Sequence, residues 1–182
     1  MADDIADAAT LDALETGIDA WLAEQLEENP VVVAVERGEP GERRWYVRVH
    51  GESKDVFTIW FTLRQRSLHY ETYVMPTPEE NHGEFFEHLL RRNRKLHGAA
   101  FCIGEEDAVF LSGSLPVHAV DDGELDRILG SLYSYVELCF LPALRIGFAS
   151  RFPSSCPVGP PEAGSERSGI RNVLNQLRKA CE

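Results

Sequence analysis

The hydrophobic positions of this chain follow two periods, one near helical spacing and one of two residues, arranged in alternating blocks. Leu11, Leu14, Ile18, Trp21, Leu22 and Leu26 recur three or four apart, the stripe of an amphipathic helix over about residues 10–28. Thr10 stands where a cap belongs, and Asn29-Pro30 closes the segment. Val31 to Val35 is a β-branched run and reads as a strand. After a turn at 38–42, Trp45, Val47 and Val49 alternate with Tyr46, Arg48 and His50, a half-buried strand. Val56 to Leu63 differs in being apolar on both faces, with Phe57, Ile59, Phe61 and Leu63 on one and Val56, Thr58 and Trp60 on the other. Such a strand must be covered on both sides.

Leu68, Tyr70, Thr72 and Val74 form one face of a fourth strand, and His69, Glu71 and Tyr73 the other. Thr77-Pro78-Glu79-Glu80 then has the pattern of a helix start with a capping box, and Gly98 that of a helix stop. Ala99–Gly104 and Ala108–Leu115 flank a Glu105-Glu106-Asp107 turn, a hairpin closed by Pro116. Asp121 or Asp122 caps a last long helix whose stripe runs through Leu125, Ile128, Leu129, Leu132, Val136, Cys139 and Phe140. Pro142 kinks or ends it. The order is α-β-β-β-β-α-β-β-α, and short loops between strands favour antiparallel pairing. The expected class is α+β, an antiparallel sheet with packed helices.

At 182 residues this is one domain of ordinary size, expected to span 1–150. From Arg151 the composition shifts to a Pro/Gly/Ser-rich linker, after which Ile170, Val173, Leu174 and Leu177 fit a short C-terminal amphipathic helix. This tail is assigned to 151–182, and the part beyond Phe152 is expected to be dispensable for the fold. The net charge of −12 is unevenly placed: residues 1–30 carry nine acidic side chains and no basic one. An acidic body argues against nucleic-acid binding. No apolar run is long enough for a membrane span and the start lacks a signal-peptide layout, so a cytoplasmic protein is expected. The four cysteines are far apart with no C-x-x-C, which argues against a zinc site, and Cys102 and Cys139, in apolar runs, are expected to be buried thiols.

Candidate chemistry is sparse, and no cofactor or metal is implied. Glu84 and His88 share a helix face near His82 and Glu87, but two ligands do not make a metal site. Arg91, Arg92, Arg94 and Lys95 suit the negative end of a helix, with partner recognition as their functional reading. Asn93 falls on the apolar stripe between Leu89 and Leu96, where a buried amide should tie down a neighbouring strand or loop. Ser112-Gly113-Ser114 lacks the frame of a nucleophile elbow. Tyr70 and Tyr73 lie on opposite strand faces, so at least one should be exposed.

The runs VFTIWFTLRQRSLHYETYVMP, PEENHGEFFEHLLRRNRKLHGAAF and LDRILGSLYSYVELCFLPALRIGFASRF give the span from Trp45 to Phe152 its resemblance to the bacterial YbjN family. That family is described as sensory-transduction regulators, and the resemblance implies a fold like type III secretion chaperones, which are small acidic homodimers that hold partner polypeptides. The Val31 strand and the Pro-rich tail depart from the family pattern. The expectation is a non-enzymatic adaptor acting through protein surfaces, with Trp60, Tyr73, Arg91, Arg92, Arg94 and Lys95 as candidate contacts. A protein partner and a homodimer are expected, the dimer because the Trp60 face needs cover that Ala143–Phe148 or the tail would otherwise supply. The alternative is an enzyme or small-ligand sensor with a site built from Tyr73, His82, Asn93 and Arg94.

Overall fold

The computed structural model describes residues 5–104 and 106–152. Six strands form one antiparallel sheet: β1 (Val32–Arg37), β2 (Arg44–His50), β3 (Val56–Leu63), β4 (Ser67–Met75), β5 (Ala99–Ile103) and β6 (Val109–Pro116). Their spatial order is β1-β2-β3-β4-β6-β5, so β1 and β5 are the edges. The described helices are α1 (Ala8–Glu28), α2 (His82–Asn93) and α3 (Asp122–Gly147). This is the expected α+β class in the expected order. The linker and helix read for 153–182 lie outside the described residues.

Period-two patterning is realised strictly along β3, and along β4 as far as Val74, where a register shift leaves Val74 and Met75 both buried. Trp45, Val47, Ile59, Phe61, Leu68 and Tyr70 share one core with Ile18 and Trp21 of α1, Phe85 and Leu89 of α2, and Leu132 and Val136 of α3. Trp21 meets Phe61 edge-on at 6.0 Å and donates its indole N–H to Asp126 at 2.8 Å. The ring therefore packs and its polar end is satisfied. Thr72, fully buried, donates its hydroxyl to the Thr58 carbonyl at 2.8 Å. Tyr70 is buried as well, its hydroxyl donating to Gly98 O at 2.7 Å, which leaves Tyr73 as the outward tyrosine of β4.

Helix ends depart from the sequence expectation in instructive ways. α1 starts at Ala8, two residues early, because Asp7 and not Thr10 is the cap: its carboxylate accepts from Thr10 N at 2.8 Å. A carboxylate is the stronger partner for the positive end of a helix. The Thr77-Pro78-Glu79-Glu80 segment is not a helix start at all. Glu79 N and Glu80 N donate to Gly147 O, the Glu80 carboxylate accepts from Ser150 N at 2.6 Å, and Glu79 pairs with Arg151. These residues are held by the far end of α3, so α2 begins only after Asn81, which adopts a left-handed conformation. At the other end α2 stops at Asn93, before Gly98, whose φ of 77° serves the turn into β5. α3 is capped by Asp121 and continues through Pro142 to Gly147. Ala143, Leu144 and Phe148 belong to the main core, so that segment does not cover the opposite face of the sheet.

A polar clasp fixes the β2–β3 turn. Glu137 on α3 accepts from Ser53 N at 2.6 Å and Lys54 N at 3.4 Å, and a Cβ on Gly51 would sit 2.2 Å from its carboxylate. The Lys54 ammonium donates to the carbonyls of Tyr73 and Val74 at 2.5 and 2.9 Å.

Candidate interaction surface

All three described helices lie on one side of the sheet, and the side chains in the opposite phase of each strand form an open face. The register arranges that face in rows. Glu36, Tyr46, Trp60, Glu71, Ser112 and Ala100 lie across successive strands in one row. Arg44, Thr62, His69 and Ser114 form the row on one side. On the other, Tyr73 stands opposite Phe110, and Phe110 opposite Cys102.

Aromatic contact dominates the middle of this face. Phe110 lies 6.0 Å from Trp60 and 5.6 Å from Tyr73 between ring centroids, the second pair edge-on at 80°. All three are half-buried, shielded by one another and by the sheet. Polar groups frame them: Arg44 donates to Thr62 Oγ1 at 3.3 Å, and Arg48 reaches Glu36 at 3.3 Å. An apolar centre with a polar rim is the anatomy of a protein-contact surface.

The face offers little to catalysis. His69 Nε2 stands 3.6 Å from Glu71, beyond the length that would orient it as a base. Cys102 is the thiol on this face. Against the expectation of a buried thiol it is exposed, because β5 is an edge strand, whereas Cys139 is buried as expected. Partial desolvation, with the Glu71 charge as a second cause, pushes the Cys102 pKa up. That favours the thiol over the nucleophilic thiolate.

The residues named from sequence fall on two surfaces. Trp60 and Tyr73 are on the open face, whereas Arg91, Arg92, Arg94 and Lys95 are at the end of α2 on the helical side. Arg91 is exposed and bonded to Glu87 at 2.8 Å, one turn back. Arg92 is half-buried and its charge is felt by both His88 and Cys139. Arg94 and Lys95 are exposed. His88 Nε2 is buried without a hydrogen-bond partner among the described residues, and burial, then Arg92, lowers its pKa.

The four residues of the alternative site do not converge. Tyr73 is on the open face, and His82 and Asn93, at opposite ends of α2, are about 16 Å apart along the helix. Asn93 has a structural duty: Phe101 N donates to its Oδ1 at 2.8 Å and its Nδ2 donates to Phe101 O at 3.2 Å. Sequence reading missed Tyr46 and Phe110 as surface aromatics. Phe110 sits inside the continuous apolar run Val109–Leu111, which hides its facing, and only the β4–β6 register sets it beside Tyr73.

The model of the YbjN family, described as "Putative bacterial sensory transduction regulator", matches residues 18–141. The chain belongs to the YbjN family. An uncharacterized protein of Mycobacterium tuberculosis is 34% identical over 104 residues, 57% of each chain. One of Mycobacterium leprae is 32% identical over 110 residues, 60% of each. The chain thus spans less than two thirds of the length of these relatives. Among solved structures, a chain of the ExsC–ExsE complex aligns with a TM-score of 0.49 at 17% identity, over 69% of this chain and 92% of that one.

Proposed function

We propose that this YbjN-family chain is a non-enzymatic, cytoplasmic protein-binding adaptor that forms a homodimer through the open face of its sheet. The observation that carries the reading is the half-exposed cluster of Trp60, Tyr73 and Phe110 on a face that no described helix covers. Aromatic side chains are the commonest anchors of such contacts. Pairing by this face leaves the helical side free, where the exposed Arg91, Arg94 and Lys95 surround a shallow depression of about 340 Å³. That basic end of α2 is the contact for a partner protein with an acidic segment. No helix among the described residues is long and apolar enough to cross a membrane.

Sedimentation equilibrium of the full chain from about ten to several hundred micromolar tests the dimer. The apparent mass should rise from about 20 kDa toward twice that value. Trp60→Lys should hold it at the lower mass while leaving the circular dichroism spectrum unchanged. A wild-type mass that stays constant over the whole range would refute the dimer.

A further inference from the structure

A second apolar surface lies on the helical side, between α2 and the edge strand β5. Phe86, Leu89, Leu90, Phe101, Ile103 and Val109 line a groove of about 300 Å³. Two of these are unusually exposed for their type, Leu90 at 65% and Ile103 at 55%. β5 follows α2 through a short turn and runs back along it, so Ile103 lies toward the start of the helix. The exposed Glu106 and Asp107 follow Ile103, and exposed Glu84 and Glu87 stand on α2 itself, which makes this end of the groove acidic.

We propose that the groove is the docking site of the chain's own segment Ile170–Leu177. Four observations select that occupant. The described domain ends near the start of α2, the helix that forms one wall of the groove, because Arg151 is bound to Glu79 and Ser150 N to Glu80. Residues 153–169 supply a tether of roughly 20–25 Å root-mean-square length. The far side of the groove, at Leu90, is about 12 Å along the helix from its start, well within that reach. Ile170, Val173, Leu174 and Leu177 have the spacing of one helix face, which suits a groove read by i, i+3, i+4 and i+7 anchors. Arg171 inside the segment, with Arg178 and Lys179 directly after it, gives this stretch a basic character opposite to the acidic end of the groove. In this arrangement the segment adds to the cover that Asn93 already gives the β5 edge, an edge that would otherwise be a template for pairing with another chain. The inference is independent of the open-face dimer, which uses the other side of the sheet.

Limited trypsin digestion of the full chain, followed by mass spectrometry, provides the test. Arg171 lies inside the segment and Arg167 in the tether, so the second is an internal reference. Cleavage after Arg171 should be about tenfold slower than after Arg167, the scale expected from burying one large aliphatic side chain. Leu174→Glu in the segment and Leu90→Glu in the groove should each raise the Arg171 rate to that of Arg167. Ile103→Glu is the second groove variant should Leu90→Glu disturb the fold by circular dichroism. Equal rates at both sites in the wild-type chain would overturn the proposal. So would a Leu174→Glu effect that neither groove variant reproduces, since the segment would then be docked elsewhere. Protection that grows with protein concentration would assign the groove to the segment of a second copy and overturn the intramolecular form.

Discussion

Replacing Asn93 by leucine removes both hydrogen bonds that hold the outer edge of β5. Asn93 presents an acceptor to Phe101 N at 2.8 Å and a donor to Phe101 O at 3.2 Å, so its amide stands where a neighbouring strand would be. Each neutral, partly buried bond contributes about 1 kcal/mol net, and the Phe101 groups left facing α2 add to the loss. Leucine recovers some of this by extending the stripe of Leu89 and Leu96, so the expected net destabilisation is about 2 kcal/mol. For a domain of this size that is roughly 4–8 °C in Tm. Urea unfolding gives the free energy, and hydrogen exchange at the Phe101 amide locates it. Asn93→Asp adds a signed test, because it keeps the acceptor, loses the donor and aims a carboxylate at Phe101 O. The substituted carboxyl should have a raised pKa in the folded state. Its stabilising, protonated form is fully present below the ordinary aspartate value of about 3.9 and is lost as pH rises through the folded value. The deficit of the Asn93→Asp chain relative to wild type should therefore shrink on acidification. A loss below about 0.5 kcal/mol for leucine with unchanged Phe101 protection would refute the account, as would an aspartate deficit that grows at low pH.

Three further outcomes follow from other contacts. Gly113→Ala should cost about 3 kcal/mol by urea unfolding, since its Cβ would lie 2.1 Å from Gly98 O and 2.5 Å from the Tyr70 ring. Glu137→Gln should cost about 1 kcal/mol and raise exchange at Ser53 N, because the charged acceptor of the β2–β3 turn becomes a neutral one. Glu15 is held below the ordinary glutamate value, first by its hydrogen bond from Arg37 and also by Arg43. Its contribution is present above about pH 4.5 and lost as pH falls through the lowered value, so Glu15→Gln should flatten that part of the acid limb of stability against pH.

The strands were legible because period two is a property of neighbours in sequence. β3 spans the residues its alternation marks, and Asn93 could be assigned a tie to a nearby strand because its stripe position made an unsatisfied amide costly. The start of α2 was not legible. Thr77-Pro78-Glu79-Glu80 has every local feature of a cap, yet its amides and carboxylates are taken by Gly147 O, Ser150 N and Arg151, more than sixty residues away. Local propensity is worth about 1 kcal/mol at a cap, and several tertiary hydrogen bonds together outweigh it. The open face was half legible. Trp60 and Tyr73 announce themselves by facing, but Tyr46 and Phe110 join them only through register, which no single strand encodes.

The doubly apolar β3 makes a quantitative demand that this register partly meets. A fully wet Trp60 would forgo about 2–3 kcal/mol. Its contacts with Phe110, and those of Phe110 with Tyr73, already remove much of that surface from water. If each of the four aromatics keeps roughly a quarter of a 150–250 Å² surface, covering them returns about 1.2 kcal/mol apiece, or about 10 kcal/mol for two copies. Lost translational and rotational freedom opposes this by at least about 4 kcal/mol. The difference corresponds to a dissociation constant of tens of micromolar or weaker. Aromatic packing within the face therefore makes the isolated chain tolerable and the proposed dimer weak and concentration-dependent, while the end of α2 proposed for partner contact stays free in either state.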